Sequence, residues 1–299
     1  MRIYVIGCAG MLGTYLYKHF SEFHDVMAAD IDCNEPWVRC TDVRSYHAMH
    51  FDLSEFHPQV IMNLAAMTDL EHCENRVDDA ISTNTFGSAN CAALAAKFDI
   101  PYVYISTAGI FDGKQEYYDD WSMPNPLCVY AKSKYWGELI AQSVDRHIVL
   151  RCGWQCGSGP KDKKFVNKVW KQIKAGATEL NVVDDKLGTP TYVKDFTRQI
   201  EKLLFEKAYG TYNAVCKGSA SRYDVAVEML HILGLQDRVK INIVPSDFFN
   251  GEYFAPRPAS EKLLTTKLDR LGLNVMRPWQ ECLREYLTEE YKEYFSLEK

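Results

Sequence analysis

Residues 2–20 read RIYVIGCAGMLGTYLYKHF, an apolar run followed by three glycines and an amphipathic pattern. The run at 2–6 predicts a strand, and the pattern at 11–23 predicts a helix. Gly7, Gly10 and Gly13 lie in and just after the turn between them. Such a turn brings backbone close to a pyrophosphate, which the N–H groups and dipole of the helix N-terminus stabilise. The stretch therefore predicts a dinucleotide-binding turn, with Met11 and Leu12 beside the cofactor.

An acidic residue, Asp30, ends the next predicted strand. A carboxylate there can accept hydrogen bonds from the ribose hydroxyls of NAD, and it repels the 2′-phosphate of NADP. We therefore expect NADH or NADPH as cofactor, with NADH slightly favoured. Arg39 or Arg44 could bind the 2′-phosphate and reverse that preference. Asp32 adds to the repulsion, but we interpret it as a solvated loop acid.

The alternation of strand and helix continues through the first half of the chain. Apolar runs predict strands at 25–30, 59–64, 101–106 and 147–151, and helical patterns lie at 45–56, before 98 and at 126–145. Buried strands alternating with helices indicate an α/β fold with a Rossmann-type doubly wound parallel sheet. We expect residues 1–152 to form an NAD(P)-binding Rossmann domain. Residues 153–299 predict mainly a smaller C-terminal substrate-binding lobe, interleaved with the last strands of the sheet.

Composition excludes some classes of function. Hydrophobic residues make up 47% of the chain, charged residues 25%, and the net charge is −6. An acidic chain does not attract a polyanion, so nucleic acid is a poor partner. No apolar run reaches the ~18 residues that span a bilayer, so we expect no membrane segment. Ten cysteines without a Cys-x-x-Cys pair predict reduced, buried thiols in a cytoplasmic protein.

Three residues at the end of the fourth strand and on the next helix suggest ketone chemistry. Thr107 follows the strand, and strand carboxyl ends bind ligands in open α/β sheets. Tyr130 and Lys134 stand four residues apart, on one helical face. A reductase needs a proton donor, and we expect the ammonium to lower the pKa of the phenol. One Tyr-x-x-x-Lys pair is expected by chance in a chain of this composition, so the argument depends on the position of the pair after Thr107. The alternative is that Tyr130 packs in a core and Lys134 is a solvated residue of the helix face.

Leu64, Ala65 and Ala66 close the third strand. Small residues at this position would let the backbone pass beside a flat cofactor. The alternative is that they simply pack at the end of the strand.

Several motifs together give the chain a family pattern. They are GCAGMLG (7–13), NLAAMTD (63–69), STAGIFDG (106–113), VYAKSK (129–134), RCGW (151–154), GTPT (188–191) and RP (257–258). With them the chain resembles the extended short-chain dehydrogenase/reductase family nearly end to end, and within it the dTDP-4-dehydrorhamnose reductases. The resemblance implies Thr107, Tyr130 and Lys134 as the catalytic set, with Tyr130 and Lys134 also touching the cofactor. It implies hydride transfer to the 4-keto carbon of a nucleotide-linked deoxysugar, with Asp42 and Val43 near adenine.

Three places depart from the family pattern. Ala108 stands where the family usually carries an acid, and Met67 stands where it commonly has histidine. Gln155-Cys156-Gly157 replaces an aromatic-bearing run. These positions lie near the sugar pocket in the family, so the resemblance does not name the sugar. It also places no metal ligands on this chain, and we predict no metal.

The substrate-binding candidates are Thr68, Thr107, Trp154, Lys164 and Arg257. Trp154 follows the fifth strand and could wall the sugar pocket. The lysines at 161, 163, 164, 168 and 171, on a predicted helix at 161–174, could gather a diphosphate, with Trp170 available for the base; the alternative is a solvated helix face. Arg257, between two prolines, could clamp a phosphate or simply pair with an acid. Residues 286–295 predict a helix that packs on the body or forms a homodimer contact.

Two other functions remain open from the sequence. An epimerase that keeps its NAD uses a similar motif after the fourth strand, but the GTPT motif argues against it, and a 4,6-dehydratase would need an acid pair after Thr107. A dinucleotide-binding regulatory subunit, like the β subunit of methionine adenosyltransferase, shares the scaffold. Retention of both Tyr130 and Lys134 argues against a purely regulatory role.

Overall fold

The computed structural model describes residues 1–297, and its central feature is a parallel sheet of seven strands. In chain order the strands are β1 (Arg2–Ile6), β2 (Asp25–Asp30), β3 (Val38–Cys40), β4 (Val60–Asn63), β5 (Tyr102–Thr107), β6 (His147–Cys152), β7 (Trp154–Cys156), β8 (Glu179–Val183), β9 (Leu187–Gly188), β10 (Pro190–Tyr192), β11 (Gly210–Asn213), β12 (Ala220–Ser221), β13 (Lys240–Val244) and β14 (Ser260–Glu261). The large sheet has the order β11-β6-β5-β4-β1-β2-β3. The predicted doubly wound α/β fold is therefore confirmed.

Helices cover both faces of this sheet. They are α1 (Met11–Ser21), α2 (Tyr46–Phe56), α3 (Leu70–Asn75), α4 (Val77–Ile81), α5 (Gly87–Phe98), α6 (Val129–Ala141), α7 (Phe165–Lys174), α8 (Val193–Phe205), α9 (Arg222–Ile232), α10 (Thr266–Arg270) and α11 (Trp279–Glu285). The long helix predicted before residue 98 is wrong as a single element. It is broken at Arg76, whose φ is −133°, and passes through a π-helical turn at Ser82–Phe86.

Side-chain alternation along β1 builds two cores. Ile3 and Val5 pack on one face of the sheet with Leu16 of α1. Tyr4 and Ile6 pack in the cluster on the other face. All four strand residues are buried, as expected for a parallel sheet covered on both sides. The core thus fixes the carboxyl ends of β1 and β4 next to each other, at the point where the strand order reverses and ligands bind in such sheets.

The second half of the chain contributes to the large sheet and also forms smaller ones. β11 pairs with β6, and α8 packs against α1. The remaining strands pair as β7 with β10, β8 with β13, and β9 with β12 and β14. Neither β3 nor β11 shows a clear apolar run, which explains why the sequence did not locate them.

The cysteine prediction is correct for eight residues and wrong for two. Eight cysteines are free and buried. Cys33 and Cys40 instead form a disulfide, with their Cα atoms 5.5 Å apart, across an exposed loop after β2. The intervening residues turn the chain back on itself, and β3 pairs alongside β2. Separately, no helix among residues 1–297 has the length and apolarity needed to cross a bilayer.

The C-terminal aromatic run packs on its own chain. Tyr286–Glu290 forms a single π-helical turn, and Tyr286, Leu287 and Phe295 are buried in the main core. Of the two alternatives for this run, the structure therefore favours packing on the body.

Candidate active site

The glycine-rich turn follows β1, and at two of its glycines a side chain would clash with neighbouring backbone. Gly7 has φ +85°, and a Cβ there would lie 2.2 Å from Ala65 N. A Cβ at Gly13 would lie 2.4 Å from Cys8 O. Gly10 is different, because it is exposed and a Cβ there would meet no atom closer than 3.8 Å. Two glycines therefore serve packing, while Gly10 leaves open backbone at the N-terminus of α1, as a pyrophosphate requires.

Asp30 holds this turn in place. Its Oδ2 accepts a hydrogen bond from Ala9 N at 2.9 Å, and its Oδ1 accepts one from Asp32 N at 2.9 Å. The two arginines considered as 2′-phosphate ligands are paired with acids. Arg39 contacts Asp52 and Glu55, each at 2.7 Å. Arg44 forms a bidentate pair with Asp42, which lowers the pKa of that carboxyl.

The remaining cofactor candidates lie after β4, in the loop after β3 and at the start of α1. Leu64 N donates to Ile6 O at 2.8 Å, which brings the end of β4 against the end of β1. Ala65 and Ala66 follow, half-buried, and Ala65 is the residue that abuts Gly7. Val43 is buried against Gly87. The structure thus brings together the small residues after β4 and the glycine turn, while Met11 and Leu12 begin α1 behind it.

Thr107 and Tyr130 meet at the carboxyl end of β5. The Thr107 side chain lies close enough to the phenol to influence its pKa, and the Thr107 hydroxyl accepts a hydrogen bond from Gly109 N at 3.1 Å. Burial raises the pKa of Tyr130. The prediction that its pKa is lowered is therefore wrong, because desolvation by burial outweighs the lowering effect of Thr107. The phenol is protonated at neutral pH, which is the form that a proton donor needs.

Lys134 is buried one turn further along α6. Its ammonium lies 4.2 Å from the centre of the Tyr104 ring, and burial lowers its pKa to about 8, although Cys152 and Glu138 act to raise it. The alternative that Lys134 is a solvated face residue is wrong, since its side chain is enclosed. A buried ammonium one helical turn from Tyr130 can stabilise negative charge on this face of α6.

We expect Lys134→Met to increase the free energy of unfolding by up to roughly 3 kcal/mol at pH 7 while removing activity. The native pKa of about 8 lies below the usual 10.5, so unfolding takes up a proton between these values. The free energy of unfolding of the wild type then rises with pH across that window, so that Lys134→Met is no longer more stable than the wild type at its upper end. Urea unfolding at pH 7 and pH 10 tests this, with exposed Lys132→Met as the control. An advantage that persists at pH 10 would contradict it.

Several residues that position α6 had been missed from the sequence. Asn84, in the π-helical turn, bonds the Met67 backbone and donates to Ser133 Oγ at 2.9 Å. Tyr104 OH donates to the Lys134 carbonyl at 3.1 Å. These bonds tie α6 to the loop after β4 and to β5. Nothing local in the sequence marks Asn84, because its partners are distant along the chain.

A buried ion pair anchors the other end of α6. Glu138 accepts hydrogen bonds from Arg151 Nη2 at 2.6 Å and from Ser106 Oγ at 2.5 Å. Both charged side chains are buried. Glu138 stands four residues after Lys134, so the spacing that places Tyr130 and Lys134 on one face also predicts Glu138 there. The pair connects α6 to β5 and β6, the strands that end beside Thr107.

Trp154 lies just beyond β6 with its indole held on several sides. Its Nε1 donates to Glu261 Oε2 at 2.7 Å, and the Arg222 guanidinium lies 3.5 Å from its ring centre. A Cβ at Gly188 would lie 2.3 Å from the ring. Neither Arg222 nor Glu261 was anticipated from the sequence.

The other substrate candidates are accounted for in part. Lys164 Nζ donates to Thr68 Oγ1 at 3.3 Å, which joins two of them. Arg257 forms a bidentate ion pair with Glu71. This is the alternative given above, in which Arg257 pairs with an acid. Trp170 is fully buried and donates to Tyr294 O, so the prediction that it could receive a base is wrong. The helix of lysines begins later than predicted, at Phe165.

Three possible metal ligands cluster elsewhere among residues 1–297. Asp195, Cys216 and Cys282 have ligand atoms within 4.8 Å of one another. The Asp195 carboxylate, however, accepts hydrogen bonds from Arg277 Nε and Nη2. A guanidinium already neutralises this carboxylate, so the cluster reads as a buried structural contact.

Comparison with known proteins is consistent with this arrangement. A family model described as RmlD substrate binding domain matches residues 1–292. Spore coat polysaccharide biosynthesis protein SpsK of Bacillus subtilis (strain 168) is 30% identical over 96% of this chain and 97% of its own length. The β subunit of methionine adenosyltransferase 2 from Mus musculus is 26% identical over 96% of this chain and 87% of its own.

Two solved structures superpose over nearly the whole chain. A dTDP-4-dehydrorhamnose reductase from Clostridium acetobutylicum has a TM-score of 0.87 and 31% identity, covering 96% of this chain and 98% of its own. The same enzyme from Bacillus anthracis, in complex with NADP, has a TM-score of 0.87 and 27% identity, covering 97% and 99%. With a family model matched over almost its full length, this chain belongs to the RmlD substrate binding domain family.

Proposed function

We propose that the protein reduces the 4-keto group of a nucleotide-linked deoxysugar, with dTDP as the nucleotide and NADH or NADPH as the reductant. The observation that carries this proposal is the proximity of Thr107, at the end of β5, to the Tyr130 phenol. That pair faces the ligand-binding edge of a sheet whose first turn fits a dinucleotide. Names of similar proteins support the sugar class, since solved relatives are dTDP-4-dehydrorhamnose reductases.

The chemistry divides between the cofactor and the side chains. A reduced nicotinamide supplies the hydride when bound. The neutral Tyr130 phenol donates a proton to the sugar oxygen as that oxygen becomes negative, and the Thr107 hydroxyl hydrogen-bonds the same oxygen and fixes its direction. The Lys134 ammonium, mostly protonated at neutral pH, stabilises the phenolate that remains.

The positions of the glycine turn in the first half of the chain and of Trp154 and Lys164 in the second half suggest a role for each half. We propose that residues 1–152 mainly bind the dinucleotide and that residues 153–299 mainly bind the sugar nucleotide. Trp154 would wall the sugar, while Lys164 and Thr68 would contact its diphosphate side. Arg257 would reach a phosphate only by sharing its guanidinium with Glu71. A cytoplasmic, homodimeric enzyme remains our expectation.

A preference for NADH is also proposed, because Asp30 ends β2 and Arg39 and Arg44 are both engaged by carboxylates. We expect Asp30→Asn to shift the NADH-to-NADPH affinity ratio toward NADPH by about tenfold, since the carboxylate would no longer repel the 2′-phosphate. The asparagine retains an acceptor for Ala9 N–H. Titration of both cofactors by fluorescence measures the ratio, with Asp32→Asn as the control. An equal shift in both variants would show that the effect is general surface charge.

The proposal is tested by following NADH and NADPH oxidation with a dTDP-4-keto-6-deoxysugar. Steady turnover is the expected result. Purification with tightly held NAD and no net oxidation would favour the epimerase instead. Co-purification with a larger catalytic partner, together with no turnover of any keto-sugar, would favour the regulatory subunit.

A further inference from the structure

Glu261 places a carboxylate next to the proposed sugar site, although it lies more than a hundred residues from the catalytic helix. It belongs to β14, which pairs with β9 so that Glu261 is opposite Gly188. Its side chain is half-buried. Oε2 accepts the hydrogen bond from Trp154 Nε1 at 2.7 Å. The carboxylate is therefore held in a defined orientation by the indole that we expect to wall the sugar.

The second oxygen of this carboxylate points toward the catalytic threonine. A Cβ built on Gly109 would lie 3.4 Å from Glu261 Oε1 and 3.4 Å from Thr107 Oγ1. The two oxygens can thus be no farther apart than twice that distance. Because a hydrogen bond spans about 2.8 Å, a sugar whose oxygen contacts Thr107 can also reach Glu261 Oε1 through a hydroxyl on a neighbouring ring carbon.

The two residues after Thr107 offer no side chain that could hydrogen-bond a sugar beside it, whereas Glu261 does. Ala108 and Gly109 carry no side chain that can form a hydrogen bond, and Ala108 is buried. A substrate that approaches Thr107 on this side therefore meets the Glu261 carboxylate. The absence of a Cβ at Gly109 keeps the space between the two oxygens open.

The surrounding charges match a neutral donor better than a cation. Burial raises the pKa of Glu261, while Trp154 N–H and the cations Arg222, Arg257 and Lys186 act to lower it. Arg222 also stacks on Trp154. An incoming ammonium would meet these three cations as well as the carboxylate. A sugar hydroxyl, which carries no charge, would donate to the carboxylate without that repulsion.

We propose that Glu261 is a specificity-determining residue of the sugar pocket, with Oε1 accepting a hydrogen bond from a hydroxyl on the ring carbon next to the 4-keto carbon. The proposal rests on the proposed function and narrows it to deoxysugars that retain this hydroxyl. It also assigns Trp154 a second part, since the indole N–H orients the carboxylate.

The first test compares Glu261→Gln with the wild type in steady-state kinetics. Glutamine keeps the shape of the side chain and an oxygen that accepts from Trp154 N–H, but it replaces the charged oxygen Oε1 with a neutral amide group. We expect kcat/KM for the dTDP-4-keto-6-deoxysugar to fall about tenfold, mainly through KM, because a charge-assisted hydrogen bond is replaced by a neutral one. Glu116→Gln is the matched control: Glu116 is exposed and pairs with Lys262, and its kinetics should not change.

The second test removes the hydroxyl from the substrate, so that the wild-type protein alone first reports the loss of this hydrogen bond. The wild type should lose about as much kcat/KM with the analogue lacking that hydroxyl as Glu261→Gln loses with the parent sugar, and the two losses should not add. Additive losses, an unchanged Glu261→Gln enzyme, or better turnover of the corresponding amino sugar would each overturn the inference while wild-type turnover still supports the proposed function. Absence of wild-type turnover would overturn both.

Discussion

Replacing Tyr130 by phenylalanine is expected to lower kcat for keto-sugar reduction by about 10²- to 10⁴-fold, the usual contribution of a positioned proton donor. The phenol lies beside Thr107, and burial raises its pKa, so it carries its proton at neutral pH. Phenylalanine preserves the ring and its packing but has no proton to give. Binding of the dinucleotide at the glycine turn should be little affected.

Tyr135→Phe is the matched control for this loss. Tyr135 lies on the same helix, one residue beyond Lys134, and packs against the small cluster that contains Phe111. Its kcat should remain at the wild-type value. A Tyr130→Phe enzyme that turns over as fast as the wild type would exclude the phenol as the proton donor.

Glu138→Ala is expected to cost about 3–5 kcal/mol of unfolding free energy, the largest stability effect that we anticipate. Arg151 would keep its buried position but lose its carboxylate partner, which now accepts from it at 2.6 Å. Ser106 would lose its acceptor at the same time. Desolvation of an uncompensated cation is what makes the change severe. Urea denaturation at neutral pH measures the loss.

The matched control is Glu206→Ala, at the residue directly after α8. Glu206 pairs with Lys202 at 2.8 Å, but both side chains are well exposed. Such a pair contributes about 0.3–0.5 kcal/mol, so the control should lie within that range of the wild type. If Glu138→Ala is no more destabilising than Glu206→Ala, the buried pair does not anchor α6.

The parts of the site that follow local rules could be predicted from the sequence. Gly7, Gly10 and Gly13 are spaced by the geometry of one turn, and Asp30 is placed by the end of the next strand. Tyr130 and Lys134 share a face because of helical periodicity alone. Each of these signals depends on neighbours within a few residues, and the structure places them at one edge of the sheet.

The remaining features depend on tertiary contacts that no local pattern encodes. Glu261 reaches Trp154 from a distant strand, and Asn84 reaches Ser133 through a π-helical turn. The raised pKa of Tyr130 depends on burial, which spacing does not specify, so its predicted direction was wrong. The bond between Cys33 and Cys40 requires the loop after β2 to fold back on itself.

The most direct test of the central claim is the transfer of label from reduced cofactor carrying deuterium at nicotinamide C4. The account predicts that the deuterium appears on C4 of the product sugar in wild-type protein, and that Tyr130→Phe binds the cofactor but transfers it far more slowly. Product without label at C4, or recovery of the starting sugar with its configuration inverted and no net oxidation of the cofactor, would contradict it.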